Sequence, residues 1–205
     1  MNTFTKRGEI AGPAGLLSVA VDTTTDVPAR GLAVLCHPHP LQGGTMDNKV
    51  VTTLSRALMQ RGWRTVRFNY RGVGASEGVW DEGRGETDDA LAVIAAHRVA
   101  GEPLVLGGFS FGGFIAANAA TKLPADEQAR SLVLVAPATG NFPVPAVPAD
   151  TLVIHGEADD VVPLSATLAW ARPQALPVVV VPGAGHFFHG QLVLLKSLVL
   201  RNFAE

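Results

Sequence analysis

Residues of the three types that cooperate in nucleophilic catalysis occur in the second half of the 205-residue chain. Ser110 is the centre of residues 108–112, which read Gly-Phe-Ser-Phe-Gly; carboxylates cluster at residues 157–160, and His186 follows Gly-Ala-Gly at 183–185. A serine hydroxyl becomes a strong nucleophile when a histidine removes its proton, and a carboxylate must orient that histidine. These residues therefore predict a site of covalent catalysis with a serine nucleophile.

The segment around Ser110 has the pattern of a strained turn between a strand and a helix. The apolar residues 104–106 predict a buried strand before it, and residues 111–123 predict a helix after it. A Gly-x-Ser-x-Gly turn leaves room only for hydrogen at its flanking positions and holds the serine at the carboxyl end of a sheet. The amino end of the following helix favours negative charge that develops there.

Short apolar segments alternate with helix-length segments, which predicts βαβ units and a mostly parallel sheet. The predicted strands are residues 16–21 (antiparallel), 32–36, 65–70, 104–106, 131–135, 151–154 and 177–181. The predicted helices are residues 47 or 48 to 60, 86 or 87 to 99, 111–123, 164–171 and 191–203. We expect one α/β domain over residues 1–205, with a twisted sheet of about seven or eight strands and helices on both faces. The serine, the acid and the histidine would then meet at the carboxyl edge of the sheet.

Three further motifs give the chain a family resemblance. Residues 37–46 read His-Pro-His-Pro-Leu-Gln-Gly-Gly-Thr-Met, residues 69–76 read Asn-Tyr-Arg-Gly-Val-Gly-Ala-Ser, and residues 155–163 contain His-Gly-x-x-Asp-x-x-Val-Pro. Over nearly its whole length the chain resembles the α/β-hydrolase superfamily, and within it the small lidless bacterial hydrolases. The resemblance implies a serine hydrolase, most often an esterase, and it selects Asp159 rather than Asp160 as the orienting acid.

Acyl transfer also needs hydrogen-bond donors for the tetrahedral oxyanion. One predicted donor is the backbone N–H of Phe111, the residue after the nucleophile. The second is expected in the loop after strand 32–36, where Pro38 and Pro40 have no N–H, so that His39 is the first candidate and Leu41 the second. Similarity to the superfamily's His-Gly-x-Pro favours His39, although proline stands at position 38 instead of glycine.

The expected substrate is a small-molecule carboxylic ester with a small or exposed acyl group. Larger hydrolases commonly carry a lid between the strands that end near Val135 and start near Thr151, and this chain has only the proline-rich loop of residues 137–150 there. That loop, Phe142 and Trp80 are candidate walls of the acyl site. The alternatives are a thioesterase, a peptidase-like amide hydrolase or, in another class, a non-catalytic binding module.

Several other functions are disfavoured by composition and spacing. The chain has 16 basic and 18 acidic residues, a net charge of −2, and no long run of like charge, so neither nucleic-acid nor membrane binding is indicated. Without a signal peptide or long apolar segment, we expect a cytoplasmic protein. Glu77 stands where a third glycine would complete a dinucleotide fingerprint with Gly72 and Gly74.

The histidines and the acidic segment also have simpler interpretations. A metal site is disfavoured because prolines separate the histidine pair at 37 and 39 and a serine site is available; the other histidines considered are His155, His186 and His189. We expect His189 to be a neighbour of the site or a surface residue. The acidic residues between 77 and 89 are predicted to form a solvated loop and the start of a helix. The predicted mechanism requires neither a metal nor a cofactor.

Overall fold

A computed structural model describes residues 3–24 and 28–204, and its strands form one eight-stranded sheet. The strands are β1 (Thr3–Gly12), β2 (Gly15–Thr24), β3 (Leu32–Cys36), β4 (Arg64–Phe68), β5 (Leu104–Phe109), β6 (Ser131–Val135), β7 (Leu152–Gly156) and β8 (Val178–Val181). The α-helices are α1 (Lys49–Gln60), α2 (Arg84–His97), α3 (Phe111–Lys122), α4 (Leu164–Ala171) and α5 (Leu192–Asn202).

The sheet has the order β1-β2-β4-β3-β5-β6-β7-β8. Strands β3 to β8 all run parallel to one another, whereas β2 pairs antiparallel with both β1 and β4. This confirms the predicted mostly parallel sheet and the antiparallel direction of the strand that contains residues 16–21. Because β5, β7 and β8 are parallel, the loops that follow them leave the sheet at the same edge.

Helices cover both faces of the sheet, as predicted. Along β3, Val34 packs into one apolar layer and its neighbours Ala33 and Leu35 pack into the other, which is the alternation of a strand covered on both sides. The layer around Val34 includes side chains of α2 and α3, and the opposite layer includes side chains of α1 and α5. The central strands are therefore rigidly held, and the loops at their ends start from fixed points.

The first strand, β1, is not among the predicted strands. It pairs with β2 along its whole length at one edge of the sheet, and most of its side chains are exposed, including Phe4 at 57%. An edge strand with little buried surface lacks the apolar run or clean alternation by which strands are predicted. The sheet consequently reaches eight strands, the upper end of the expected number.

The predicted solvation of the acidic segment is wrong for two of its residues. Glu86 and Asp89 are fully buried on α2. The Glu86 carboxylate accepts hydrogen bonds from the backbone N–H groups of Asp81 and Gly83 at 2.9 and 2.7 Å, which caps the helix and moves its start to Arg84. Asp89 lies 2.7 Å from the Arg71 guanidinium and binds the loop after β4 to α2.

The connection between β6 and β7 contains neither an α-helix nor a strand, in agreement with the expected absence of a lid domain. Its Phe142 and Val144 pack against the apolar layer formed with α2 and α3. Within residues 3–24 and 28–204, none of the helices combines the length and apolar character needed to cross a bilayer.

Candidate active site

Ser110 lies between β5 and α3 in a backbone conformation that residues with a side chain rarely adopt, with φ of 56° and ψ of −118°. The turn is close-packed, because a Cβ atom on Gly108 would overlap the carbonyl oxygen of Gly112, and one on Gly112 would overlap that of Cys36. Such strain costs about 1–3 kcal/mol and needs surrounding structure to hold it. Part of that support is the 2.9 Å hydrogen bond from the Ser110 N–H to the carbonyl of Val135. The backbone that carries the Ser110 hydroxyl group is therefore held in a fixed position at the carboxyl end of β5.

A short hydrogen bond joins the predicted acid and base. His186 Nδ1 donates to Asp159 Oδ2 at 2.7 Å, while the backbone N–H groups of Val161 and Val162 donate to Asp159 Oδ1 at 2.9 and 2.7 Å. An ionised carboxylate only accepts hydrogen bonds, so His186 carries a proton on Nδ1 and, when neutral, a lone pair on Nε2. This is the tautomer that a general base needs.

Asp159 is ionised although it is buried. Burial alone would raise the pKa of this carboxyl group, but the hydrogen bonds from His186, Val162 and Val161 outweigh burial and hold the pKa below its ordinary value of 3.8. The negative charge of Asp159 is thus present at neutral pH, where it can stabilise a protonated His186 ring.

The His186 ring lies beside the end of β5, the strand that precedes Ser110. It packs against the ring of Phe109, the residue before Ser110, with centroids 4.8 Å apart. No hydrogen bond between the Ser110 hydroxyl and His186 is present in the described part of the chain. Serine–histidine contacts of this kind often tighten only when substrate binds. The structure therefore brings all three predicted catalytic residues to one edge of the sheet, with the acid and base already aligned.

The two backbone amides predicted to bind an oxyanion are available. Within residues 3–24 and 28–204, the N–H groups of His39 and Phe111 donate no hydrogen bond to a protein acceptor. The His39 carbonyl accepts from the N–H groups of Gln42 and Gly44 at 3.1 and 3.0 Å, which folds the loop after β3 into a tight turn. Phe111 is the first residue of α3, where unpaired N–H groups and the helix dipole favour an anion.

Buried polar side chains hold the loop of His39 at both ends. His37 is fully buried, donates from Nδ1 to the Pro38 carbonyl at 2.7 Å and accepts the Tyr70 N–H at Nε2 at 3.2 Å. At the other end, Asn69 Oδ1 accepts the Met46 N–H at 2.9 Å. Burial lowers the pKa of His37 to about 3, so the ring stays neutral and keeps both hydrogen bonds at neutral pH. The motifs at 37–46 and 69–76 thus contact each other, which their separation in sequence did not show.

Four rings, one of them from the residue that follows Ser110, form a cluster here called the aromatic wall: His39, Trp80, Phe111 and Phe142. Ring centroids are 4.7 Å apart for His39 and Trp80, 5.1 Å for Trp80 and Phe111, and 5.0 Å for Phe111 and Phe142. Phe111 is buried beneath the other three rings, which are partly exposed. The candidate acyl-site residues Trp80 and Phe142 therefore share one wall beside the candidate oxyanion donors.

The remaining histidines are dispersed. His37 and His155 are fully buried, whereas His189 is exposed and lies near the ring of Phe187. In the described ranges, no three His, Cys, Asp or Glu side chains are grouped so that they could hold a metal ion. From sequence, His155 is only part of a motif and a possible metal ligand. In the structure its ring lies 3.4 Å from Asp159.

Comparison with known proteins supports this architecture. Residues 28–149 match the family of the serine aminopeptidase S33. A lidless α/β serine hydrolase from Xanthomonas campestris is 38% identical, with a TM-score of 0.89 and coverage of 100% of this chain and 95% of that one. An α/β serine hydrolase homologue from Coxiella burnetii is 40% identical, with a TM-score of 0.86 and coverage of 96% of each chain.

A curated relative from Rickettsia prowazekii, an uncharacterized protein, is 38% identical over 117 residues. That match spans 55% of this chain and 48% of the relative, about half the length of each. The family match covers more than half of the chain, and the two solved structures share its fold over nearly its whole length. The chain therefore belongs to the S33 serine aminopeptidase family and is a serine hydrolase with the α/β-hydrolase fold.

Proposed function

We propose that the protein hydrolyses small-molecule carboxylic esters through an acyl-enzyme intermediate on Ser110. The observation that carries the proposal is the 2.7 Å hydrogen bond from His186 Nδ1 to an ionised Asp159, beside a strained serine turn. This arrangement leaves His186 Nε2 free to accept the serine proton. The reaction needs a nucleophile, a base, an orienting acid and two oxyanion donors, and the chain has candidates for each.

In the proposed reaction, Ser110 Oγ attacks the ester carbonyl carbon while its proton passes to His186 Nε2. The N–H groups of His39 and Phe111 stabilise the negative charge on the carbonyl oxygen. The bond to the alcohol oxygen then breaks, and His186 gives its proton to the leaving alcohol. Water attacks the acyl-enzyme by the same route, with His186 taking one proton from the water and returning it to Ser110. The products are a carboxylic acid and an alcohol.

The positions of the rings indicate which part of the ester lies on which side. The leaving alcohol must be near His186, because this residue protonates it. The aromatic wall packs around the two oxyanion donors instead, whereas the His186 ring packs on Phe109 and Phe187. The acyl group is therefore assigned to the side of the aromatic wall, with the partly exposed rings of Trp80 and Phe142 as its apolar surface.

A panel of p-nitrophenyl esters from acetate to laurate tests the substrate class. We expect hydrolysis of the short-chain esters and covalent labelling of Ser110 by a fluorophosphonate, because the short connection between β6 and β7 leaves the site open but provides little surface for a long chain. Matched thioesters and amino-acid p-nitroanilides form the comparison set. Faster turnover of either set would assign the site to a thioesterase or an amide hydrolase. Absence of both labelling and turnover would support a binding module instead.

The oxyanion donor can be tested apart from the side chain that carries it. His39 has φ of −52°, which proline can adopt, so His39→Pro removes the N–H while keeping the backbone angle. We expect kcat to fall by about 10²–10³-fold, the usual effect of losing one oxyanion donor. His39→Ala keeps the N–H and loses only the ring, so it serves as the matched control. If Leu41→Pro, rather than His39→Pro, caused the loss of kcat, the second donor would be Leu41.

A further inference from the structure

His155 has a polar environment unusual for the buried end of a strand. It is fully buried at the end of β7, with its Nε2 atom 2.9 Å from the carbonyl oxygen of Val162 and 3.4 Å from Asp159 Oδ2. Its other nitrogen, Nδ1, is buried and has no hydrogen-bond partner in the described structure. The proposed mechanism uses neither nitrogen, so the presence of this ring beside the catalytic acid needs a separate explanation.

The partners of His155 determine its protonation. A backbone carbonyl only accepts hydrogen bonds, so His155 Nε2 must carry the hydrogen that it shares with the Val162 oxygen. The Asp159 Oδ2 atom lies 3.4 Å from the same nitrogen, so the polar edge of the ring is close to the carboxylate without a hydrogen bond to it. The unpaired Nδ1 is a cost to stability that an apolar residue at this position would avoid. A buried polar atom that is left without a hydrogen-bond partner is expected mainly at functional sites.

We propose that His155 is a positioning residue, whose Nε2–H group fixes the turn of residues 159–162 so that Asp159 Oδ2 faces His186. This inference rests on the proposed function, because the aligned pair matters only if His186 acts as the base. His155 contacts neither the substrate nor the reacting atoms in this role. It acts through Asp159.

The geometry explains how one hydrogen bond can orient the carboxylate. Asp159 Oδ1 is held by the N–H groups of Val161 and Val162, and the carbonyl of Val162 is held by His155. The His155 ring therefore binds the carbonyl of Val162, and the N–H group of the same residue binds the Asp159 carboxylate. Without the Nε2–H, the buried Val162 carbonyl would lose this donor, and the turn would be free to rotate toward other partners.

The neutral charge state of His155 also supports its role as a positioning residue for Asp159. Burial lowers the pKa of His155, which keeps the ring neutral next to Asp159. A cationic ring at this position would compete with His186 for the negative charge of Asp159. A neutral N–H donor can hold the Val162 carbonyl and still leave the charge of Asp159 available to His186.

Three substitutions separate donation from space filling. The side-chain nitrogen of glutamine can reach the position of histidine Nε2, whereas that of asparagine reaches only the position of Nδ1. We expect His155→Leu and His155→Asn to lower kcat by about 10–100-fold, because small misplacements of catalytic groups have effects of this size. KM should stay within about twofold, since no substrate contact is lost. His155→Gln is expected to restore most of kcat.

Proton NMR gives a readout that does not depend on turnover. The Nδ1 proton of His186 lies in a short hydrogen bond to a carboxylate and should resonate far downfield. We expect this signal to persist in wild type and His155→Gln and to shift upfield or broaden in His155→Leu and His155→Asn. His97→Leu is the matched control, because His97 also has a buried, unpaired ring nitrogen but lies at the end of α2. This control variant should leave both the signal and kcat unchanged.

The outcomes distinguish failure of the inference from failure of the proposed function. Normal kcat and an unchanged His186 signal in a folded His155→Leu variant would overturn the positioning role. An equal loss of kcat in the glutamine and leucine variants would overturn it as well, because donation would then not matter. If the wild-type protein shows neither esterase activity nor fluorophosphonate labelling, the proposed function fails. The NMR comparison would then still decide whether His155 orients Asp159.

Discussion

Ser110→Ala is expected to lower kcat for p-nitrophenyl esters by about 10⁴-fold or more with little change in KM, since the variant can form no acyl-enzyme. Alanine keeps the Cβ atom of serine and adds no other atom, so we expect the turn with φ of 56° to keep its conformation. The hydroxyl has no hydrogen-bond partner in the described structure, so its removal leaves no protein group unpaired. The loss should therefore reflect chemistry and not misfolding.

The measurement is steady-state kinetics together with fluorophosphonate labelling and a thermal unfolding curve. Ser165→Ala is a suitable control, because this serine is exposed on α4. We expect Ser165→Ala to match wild type in both activity and labelling. Activity of Ser110→Ala equal to that of wild type would exclude Ser110 as the nucleophile and would contradict the acyl-enzyme mechanism.

The strands and helices around the site could be predicted because each has a recognisable pattern within its own segment of the sequence. The apolar segments of β3, β5 and β6 are buried on both faces and need no knowledge of their partners to be recognised. The order of Ser110, Asp159 and His186 after parallel strands then placed all three at one edge. A turn as constrained as residues 108–112 has a local sequence requirement, so its geometry could also be predicted.

Features that depend on distant partners could not be predicted. Asp89 is buried because Arg71 reaches it from the loop after β4, and nothing in the local sequence distinguishes it from a solvated helix residue. The exposed strand β1 carries little apolar signal of its own. His155 belongs to a recognisable motif, but its proposed role depends on the Val162 carbonyl, which comes close only when the turn folds. Long-range polar contacts are thus the part of the site that required a structure.

Asp159→Asn is expected to lower kcat by about 10⁴-fold while leaving the fold intact, the effect known when the orienting carboxylate of a serine triad becomes an amide. The control is Asp160→Asn, because Asp160 is the exposed neighbouring carboxylate that the motif did not select. Near-wild-type kinetics of Asp160→Asn and a large loss in Asp159→Asn would assign the acid. A larger loss in Asp160→Asn would contradict the assignment.

The expected size of the Asp159→Asn effect follows from which end of the amide, its oxygen or its NH₂ group, faces each neighbouring group. The N–H groups of Val161 and Val162 both donate to Oδ1, so the amide oxygen of asparagine is expected to occupy that position. Its NH₂ group must then face His186 Nδ1, which becomes an acceptor and moves the ring proton to Nε2. His186 would present a donor, not a base, to Ser110, and the negative charge that stabilises its protonated form would also be gone. The backbone N–H groups that hold Asp159 Oδ1 therefore make its replacement by asparagine harmful to catalysis without disturbing the fold.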